Sequence, residues 1–378
     1  MSMSGPVRIE DLNQLRADHV GSLLRPERLL DARRARESGQ IGPEAFRQIE
    51  QDCIAEAVKL QEDAGFRVVT DGDYPRTSFH IDFLTQLGGV IWQPARFVQG
   101  FADGQNEGHS PAVFAVNAPV RHLDPIALKD YAYAQSVSHV TAKVTMPSPS
   151  FVHCRGGRAA ISTQSYPDLD VFFADLAAAY RAEIAALAKA GCRYVQLDEV
   201  HFTFLCDPVL VEGFRARGDD PQALARTYAK LINDSIADRP ADMMIGVHLC
   251  RGNHRSGWVA QGGYEPVADL LFNTVNADRF LLEFDTERAG GFEPLRFVPR
   301  NKVAVLGLVT TKTDEMESPD LLRRRLDEAA RYLPLEQLAL SPQCGFASSI
   351  PGNRIGAQVQ WAKLRMIADL AWETWGHC

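Results

Sequence analysis

Residues 168–199 read Asp-Leu-Asp-Val-Phe-Phe-Ala-Asp-Leu-Ala-Ala-Ala-Tyr-Arg-Ala-Glu-Ile-Ala-Ala-Leu-Ala-Lys-Ala-Gly-Cys-Arg-Tyr-Val-Gln-Leu-Asp-Glu. An Ala-rich helical body starts near Asp168 and stops at Gly191, where a left-handed cap belongs. An apolar run over 193–198 follows at once. Residues 43–69 repeat the design. Phe46, Ile49, Cys53, Leu60 and Ala64 fall at steps of three, four and seven and give one apolar stripe. Pro43 suits a first helical turn, and Ala64-Gly65 passes straight into Phe66-Arg67-Val68-Val69. Two helices that run directly into strands mark αβ units, and such units build parallel sheets.

Working outward, apolar runs recur at 17–20, 66–70, about 140–146, 193–198, 243–248, 279–284, 303–309 and 337–341. Further helices fit 221–237, 319–332 and 356–374. Eight strands alternating with helices predict an α/β fold of the (β/α)8 TIM-barrel type. An open doubly wound sheet is the alternative, but no strand leads into a G-x-G-x-x-G turn. Residues 90–138 read as an inserted excursion with a hairpin between strands 2 and 3. It carries Trp92, Phe97, Phe101 and Glu107-Gly-His109, the last free to fold over the barrel mouth although no spacing demands it. Residues 1–15 read as an N-terminal arm, and 1–378 as one domain.

Composition narrows the function. The 378 residues are 46% hydrophobic, and 40 basic against 48 acidic residues give a formal charge of −8. That balance argues against nucleic acid as a partner. No run of about 18 apolar residues exists, which argues against a membrane span. Seven cysteines, odd in number and widely spread, are not a disulfide framework. The first residues lack the apolar core of a secretory signal, so a reducing cytoplasm is the expected location.

In such a barrel the reactive groups gather at the C-terminal strand ends. Read in turn, these ends offer Ser22; Asp71 and Asp73; Thr145; Asp198 and Glu199; His248 and Cys250; Glu283 and Asp285; Thr310, Thr311 and Lys312; and Cys344. The sharpest element is His248-Leu-Cys250, whose period of two points both side chains one way. Glu283 and Cys344 would supply a third and fourth donor. Imidazole, carboxylate and two thiolates suit Zn²⁺. The same spacing also suits a buried cysteine beside a satisfied barrel histidine.

These residues carry a resemblance over about 17–353. His19-Val-Gly-Ser22, Asp71-Gly-Asp73 with Arg76, Gln196-Leu-Asp198-Glu199, His248-x-Cys250, Glu283 and Pro342-x-Cys344-Gly345 are similar to motifs of cobalamin-independent methionine synthases. The chain resembles their C-terminal catalytic barrel in a short, single-barrel form. The resemblance implies Zn²⁺ held by His248, Cys250, Glu283 and Cys344, and methyl transfer to the thiol of homocysteine, giving methionine. It implies substrate binding by Ser22, Asp73, Arg76 and Asp198, and exchange of the carboxylate ligand for substrate sulfur. The methyl donor would be methyltetrahydrofolate or a methylcorrinoid, and a homo-oligomer is compatible with the sequence.

The chain departs from the pattern in two ways. It has no room for the second barrel that grips a polyglutamyl folate. The general-acid histidine after strand seven is also missing, because Thr310-Thr311-Lys312 stands there. His201, Thr310, Lys312 or a water is then expected to deliver the proton, with His201 and Thr310 as the catalytic candidates. Two alternatives stay open. One is a related zinc-dependent alkyl transfer using another thiol or an epoxide. The other is a non-catalytic zinc- or thiol-binding protein, against which Asp73 and Asp198 argue.

Overall fold

The helix Leu169–Lys189 forms where the Ala-rich stretch predicts, with the Asp168 side chain accepting the Asp170 N–H at its start. Gly191 follows its C-terminus at φ +97°, and Gly65 follows Pro43–Asp63 at φ +100°. The computed structural model describes residues 14–94 and 112–378. The expected arm over 1–15 is therefore outside it up to residue 13, as are Phe97, Phe101 and Glu107-Gly-His109. Helices also form at Pro221–Ser235, Pro319–Ala329 and Ala357–Trp375, as expected. One detail differs. Leu60 is 42% exposed, and the buried face of Pro43–Asp63 runs through Cys53, Ile54, Ala57, Val58 and Gln61 instead.

The strands are β1 (Val68–Val69), β2 (Gly88–Pro94), β3 (Ala112–Arg121), β4 (Thr141–Ala142), β5 (Val144–Pro147), β6 (Tyr194–Glu199), β7 (Met244–Leu249), β8 (Arg279–Glu283), β9 (Val303–Val309) and β10 (Leu338–Pro342). Strands β5 to β10 form one parallel sheet in sequence order, and β1 pairs in parallel with β4. The expected first strand at 17–20 is reduced to a bridge between Ala17 and Leu340. There Asp18 N–H donates to the Leu340 oxygen at 2.9 Å and Leu340 N–H to the Arg16 oxygen at 2.8 Å. Sequential parallel strands buried on both faces, with helices between them, make an α/β fold of the TIM-barrel type. Strands β2 and β3 pair antiparallel between β1 and β4 in the chain.

Four helices lie outside the stretches expected to be helical: Glu27–Glu37, Leu128–Ser136, Pro208–Ala216 and Glu265–Thr274. The first buries only Leu29 and Ala32 among charged neighbours, so its sequence carries almost no amphipathic signal. No helix among the described residues is long and apolar enough to cross a membrane.

The interior between the strands is polar at one level. Lys143 Nζ donates to Asp18 Oδ1 at 2.8 Å, to Gln196 Oε1 at 2.9 Å and to the His19 carbonyl oxygen. Tyr194 donates its hydroxyl to Asp18 Oδ2 at 2.7 Å, and Arg279 Nε lies 3.7 Å from the same oxygen. Burial alone would raise the Asp18 pKa, but Lys143 and Arg279 hold it below the usual carboxylate range. His19 beside them is held neutral, its pKa depressed to about 3 by burial and by Lys143.

Asp18→Asn leaves two buried cations short of a counter-charge and is expected to cost about 3–5 kcal/mol of unfolding free energy at pH 7. Adding Lys143→Met should recover much of that loss, because it removes an orphaned charge. The native carboxyl has a depressed pKa, so its contribution is present above the unfolded-state value. It is lost as the pH falls through the folded one, so the gap between wild type and Asp18→Asn should begin to close only below about pH 4 and vanish below the folded value. Urea unfolding midpoints across pH measure both effects.

Candidate metal centre

His248, the penultimate residue of β7, faces the interior, and Cys250 follows two residues later on the same side. Its N–H is pinned to the Glu199 oxygen at 2.8 Å. Glu283 closes β8, and Cys344 sits two residues past β10. One donor atom from each of these four buried residues lies within 4.8 Å of all the others. The two sulfurs are 3.3 Å apart. His248 Nδ1 faces the Leu281 carbonyl oxygen at 3.2 Å, and a proton there leaves the lone pair on Nε2. That Nε2 is buried with no nitrogen or oxygen partner among the described residues. Two thiols, an imidazole nitrogen and a carboxylate gathered at this spacing are donors that suit a zinc ion. The Cys344 thiol, then burial and the Glu283 charge, push the Cys250 thiol well above its ordinary range. A divalent cation at the centre would reverse that direction.

Glu283 is held from behind. Its Oε1 accepts from the Arg251 N–H at 3.2 Å and from Gln343 Nε2 at 3.3 Å, and its Oε2 lies 3.3 Å from Arg288 Nη2. Burial would raise its pKa, but Arg288, Arg251 and Lys312 together hold it low. Gln343 reaches this carboxylate because Gly307, the register partner of Glu283, has no side chain. A Cβ there would stand 2.7 Å from Gln343 Cα and 2.7 Å from the Leu282 oxygen.

A cavity of about 250 Å³ opens over the thiols. Ser22, Asp73, Asp198, His248, Cys250 and Cys344 line its floor. Asp198 projects from β6, accepts from Gln196 Nε2 at 2.7 Å, and is pushed up to about 6 mainly by burial, with His248 opposing. Asp73 adopts φ +59°, a conformation that is uncommon for a residue with a side chain. It is fixed by Thr145 Oγ1 at 3.1 Å, by Arg76 at 3.2 Å, and by Arg25, which donates to its carbonyl oxygen at 2.6 Å. The upper wall is aromatic: Phe79, His80, Trp92 from β2, Phe151 and Phe204.

The expected residues therefore separate. Six of them line the cavity, and Glu283 lies directly behind it. Arg76 does not reach the wall. It donates to the Thr145 oxygen at 2.7 Å and braces Asp73, so it positions a wall residue. His201 is fully buried away from the wall, with Nδ1 2.8 Å from Ser150 Oγ and 3.2 Å from Glu199 Oε1, and Phe151 packed on its ring. Thr310 also faces elsewhere, its N–H on Glu317 and its hydroxyl accepting from the Lys312 N–H. Neither residue is among those that line this cavity. Lys312 turns to Asn253 and Gly257. Among nearby aromatic residues, Trp258 lies under the Arg288 guanidinium, and Phe346 is buried and not part of the cavity lining. His153 bonds Tyr228 in the interior. Sequence reading missed Arg251, Arg288 and Gln343 behind the carboxylate, and His80 and His254 on the wall. Arg251 and Gln343 had a weak signal, each next to an expected cysteine ligand in sequence.

Comparison with known proteins identifies the family. The family model described as the catalytic domain of cobalamin-independent synthase matches residues 16–369. The protein YxjH of Bacillus subtilis (strain 168) is 42% identical over 363 residues, covering 95% of this chain and 94% of its own length. The 5-methyltetrahydropteroyltriglutamate–homocysteine methyltransferase of Bacillus licheniformis is 23% identical, over 93% of this chain and 44% of that one. A Listeria monocytogenes structure, provisionally named a vitamin-B12 independent methionine synthase, superposes with a TM-score of 0.76. It is 36% identical and covers 96% of this chain and 98% of its own. With a buried His-Cys-Glu-Cys cluster at its strand ends and these relatives, the chain belongs to the cobalamin-independent synthase catalytic-domain family.

Proposed function

We propose that this chain is a zinc-dependent methyltransferase that methylates the thiol of homocysteine to give methionine. The observation that carries this reading is the shared cavity floor, where two carboxylates stand beside the two thiols and the imidazole. Zinc bound by His248, Cys250, Glu283 and Cys344 would lower the pKa of a substrate thiol, so that a thiolate is present at neutral pH. Asp73 and Asp198 would hold the α-ammonium of the amino acid, and the backbone around Ser22 its carboxylate. The methyl group then passes to sulfur in line, and the carrier leaves with the electron pair of the broken bond.

The aromatic upper wall supports a flat conjugated carrier, methyltetrahydrofolate or a methylcorrinoid, as donor. With His201 and Thr310 directed elsewhere, His80 and His254 are the wall imidazoles suited to proton delivery to the departing carrier. We read the whole chain as one closed (β/α)8 barrel, with 90–138 as an inserted excursion that contains a hairpin. Seven unpaired buried cysteines suit a reducing cytoplasm.

Two outcomes test this. Purified protein should carry about one zinc per chain by elemental analysis, and His248→Ala and Cys344→Ser should lose it with an unchanged circular dichroism spectrum. A folded wild type without zinc ends the reading. In a methionine-forming assay with either carrier, Asp198→Asn should raise KM for homocysteine by about tenfold or more while kcat changes less, the cost of one charge-assisted hydrogen bond. An unchanged KM would remove Asp198 from substrate recognition.

A further inference from the structure

The four donor residues do not face the cavity equally. His248, Cys250 and Cys344 line it, whereas Glu283 is fully buried and lies behind them. A thiol entering through the cavity therefore meets the soft donors first, with the carboxylate on the far, protein side of the cluster. That carboxylate already has four donors around it. Arg251 N–H and Gln343 Nε2 bond Oε1, while Arg288 Nη2 at 3.3 Å and Arg251 Nη1 at 3.7 Å face Oε2. A carboxylate that shares its lone pairs with two guanidiniums gives less to a metal than a thiolate or an imidazole does.

The two arginines are not equivalent. Arg251 is clamped by the Tyr264 hydroxyl at 2.9 Å, the Gly262 oxygen at 2.8 Å and the Glu283 carbonyl oxygen at 3.3 Å. Arg288 instead divides one nitrogen between two carboxylates, Glu283 at 3.3 Å and Asp285 at 3.1 Å, with its guanidinium over the Trp258 ring at 4.8 Å. One donor with two alternative acceptors can lean toward Asp285 while Glu283 serves the metal, and toward Glu283 once it does not.

We propose that Arg288 is the positioning residue that receives the Glu283 carboxylate when it leaves the metal, and that it thereby sets how tightly an incoming thiol binds. This rests on the zinc-thiol reading above. Arg251 and Gln343 hold the carboxylate within reach, and Asp285 takes Arg288 back when the carboxylate returns.

The test is a set of variants: Arg288→Gln, Arg288→Lys, Glu283→Ala, and Glu283→Ala with Arg288→Gln. Zinc affinity is read by competition with a chromophoric chelator. Thiol affinity is read from the visible spectrum of the cobalt-substituted protein, with homocysteine and 2-mercaptoethanol as separate probes. Arg288→Gln should bind zinc at least as tightly as wild type, since the carboxylate loses a competitor. Its thiol affinity should fall on the order of tenfold, and Arg288→Lys should fall in between. In the Glu283→Ala background the effect of Arg288→Gln should shrink to within about twofold.

Tenfold weaker zinc binding in Arg288→Gln would make the arginine a prop for the ligand set and overturn the proposal. Unchanged thiol affinity, or an equal loss without Glu283, would overturn it too. Failure of the functional reading shows in wild type instead. Absence of zinc from wild type removes both. A cobalt spectrum that answers 2-mercaptoethanol but not homocysteine changes the acceptor and leaves the role of Arg288 measurable with the first probe.

Discussion

Lys143 carries a charge with almost no water around it, and that charge organises the middle of the molecule. Three acceptors converge on it: the Asp18 carboxylate, the His19 carbonyl oxygen and the Gln196 side chain. They come from the segment that bridges to β10 and from β6, so a single ammonium ties together parts of the chain that are far apart in sequence. Asp18 is in turn shared with Tyr194 and Arg279. A buried charge placed this way fixes which strand faces which, because slipping one residue would bury it without partners.

The same network reaches the cavity. Gln196 gives its Oε1 to Lys143 and its two amide hydrogens to the Val20 oxygen and to Asp198, both at 2.7 Å. Asp198 is thus oriented by a chain of contacts that begins in the core. Register does the rest. Asp198 is the ladder partner of His248, and His248 of Leu281, so adjacent strands bring the carboxylate and the imidazole to one level. On the other side Arg25, Arg76 and Thr145 impose on Asp73 a backbone conformation it would rarely take alone. The floor of the cavity is therefore held by side chains that never touch it.

This division explains what could be read from the sequence. The strand ends were legible because the period of two and the helix-to-strand junctions mark them, and the four donor residues were legible as metal-binding types at those ends. The supporting groups were not. Arg288 lies five residues past Glu283 in a short 3-10 helix, and no periodicity announces that its side chain turns back. Gln343 looks like an ordinary polar residue between Pro342 and Cys344. His201 is a case of the opposite kind. A histidine beside an Asp-Glu pair reads as chemistry, yet Ser150 and Glu199 absorb its ring nitrogen and Phe151 covers it. First contacts follow local spacing, whereas their supports depend on tertiary geometry.

Gly307 shows what that costs the chain over generations. It bears no reactive atom, yet the path by which Gln343 reaches Glu283 exists only because position 307 is bare. Even a methyl group would meet backbone on two sides, and backbone cannot step aside as a flexible side chain can. In a mutational scan such a site would look as indispensable as a ligand. Its intolerance would report a space that must stay empty, and any descendant remodelling the carboxylate would have to move two strands at once.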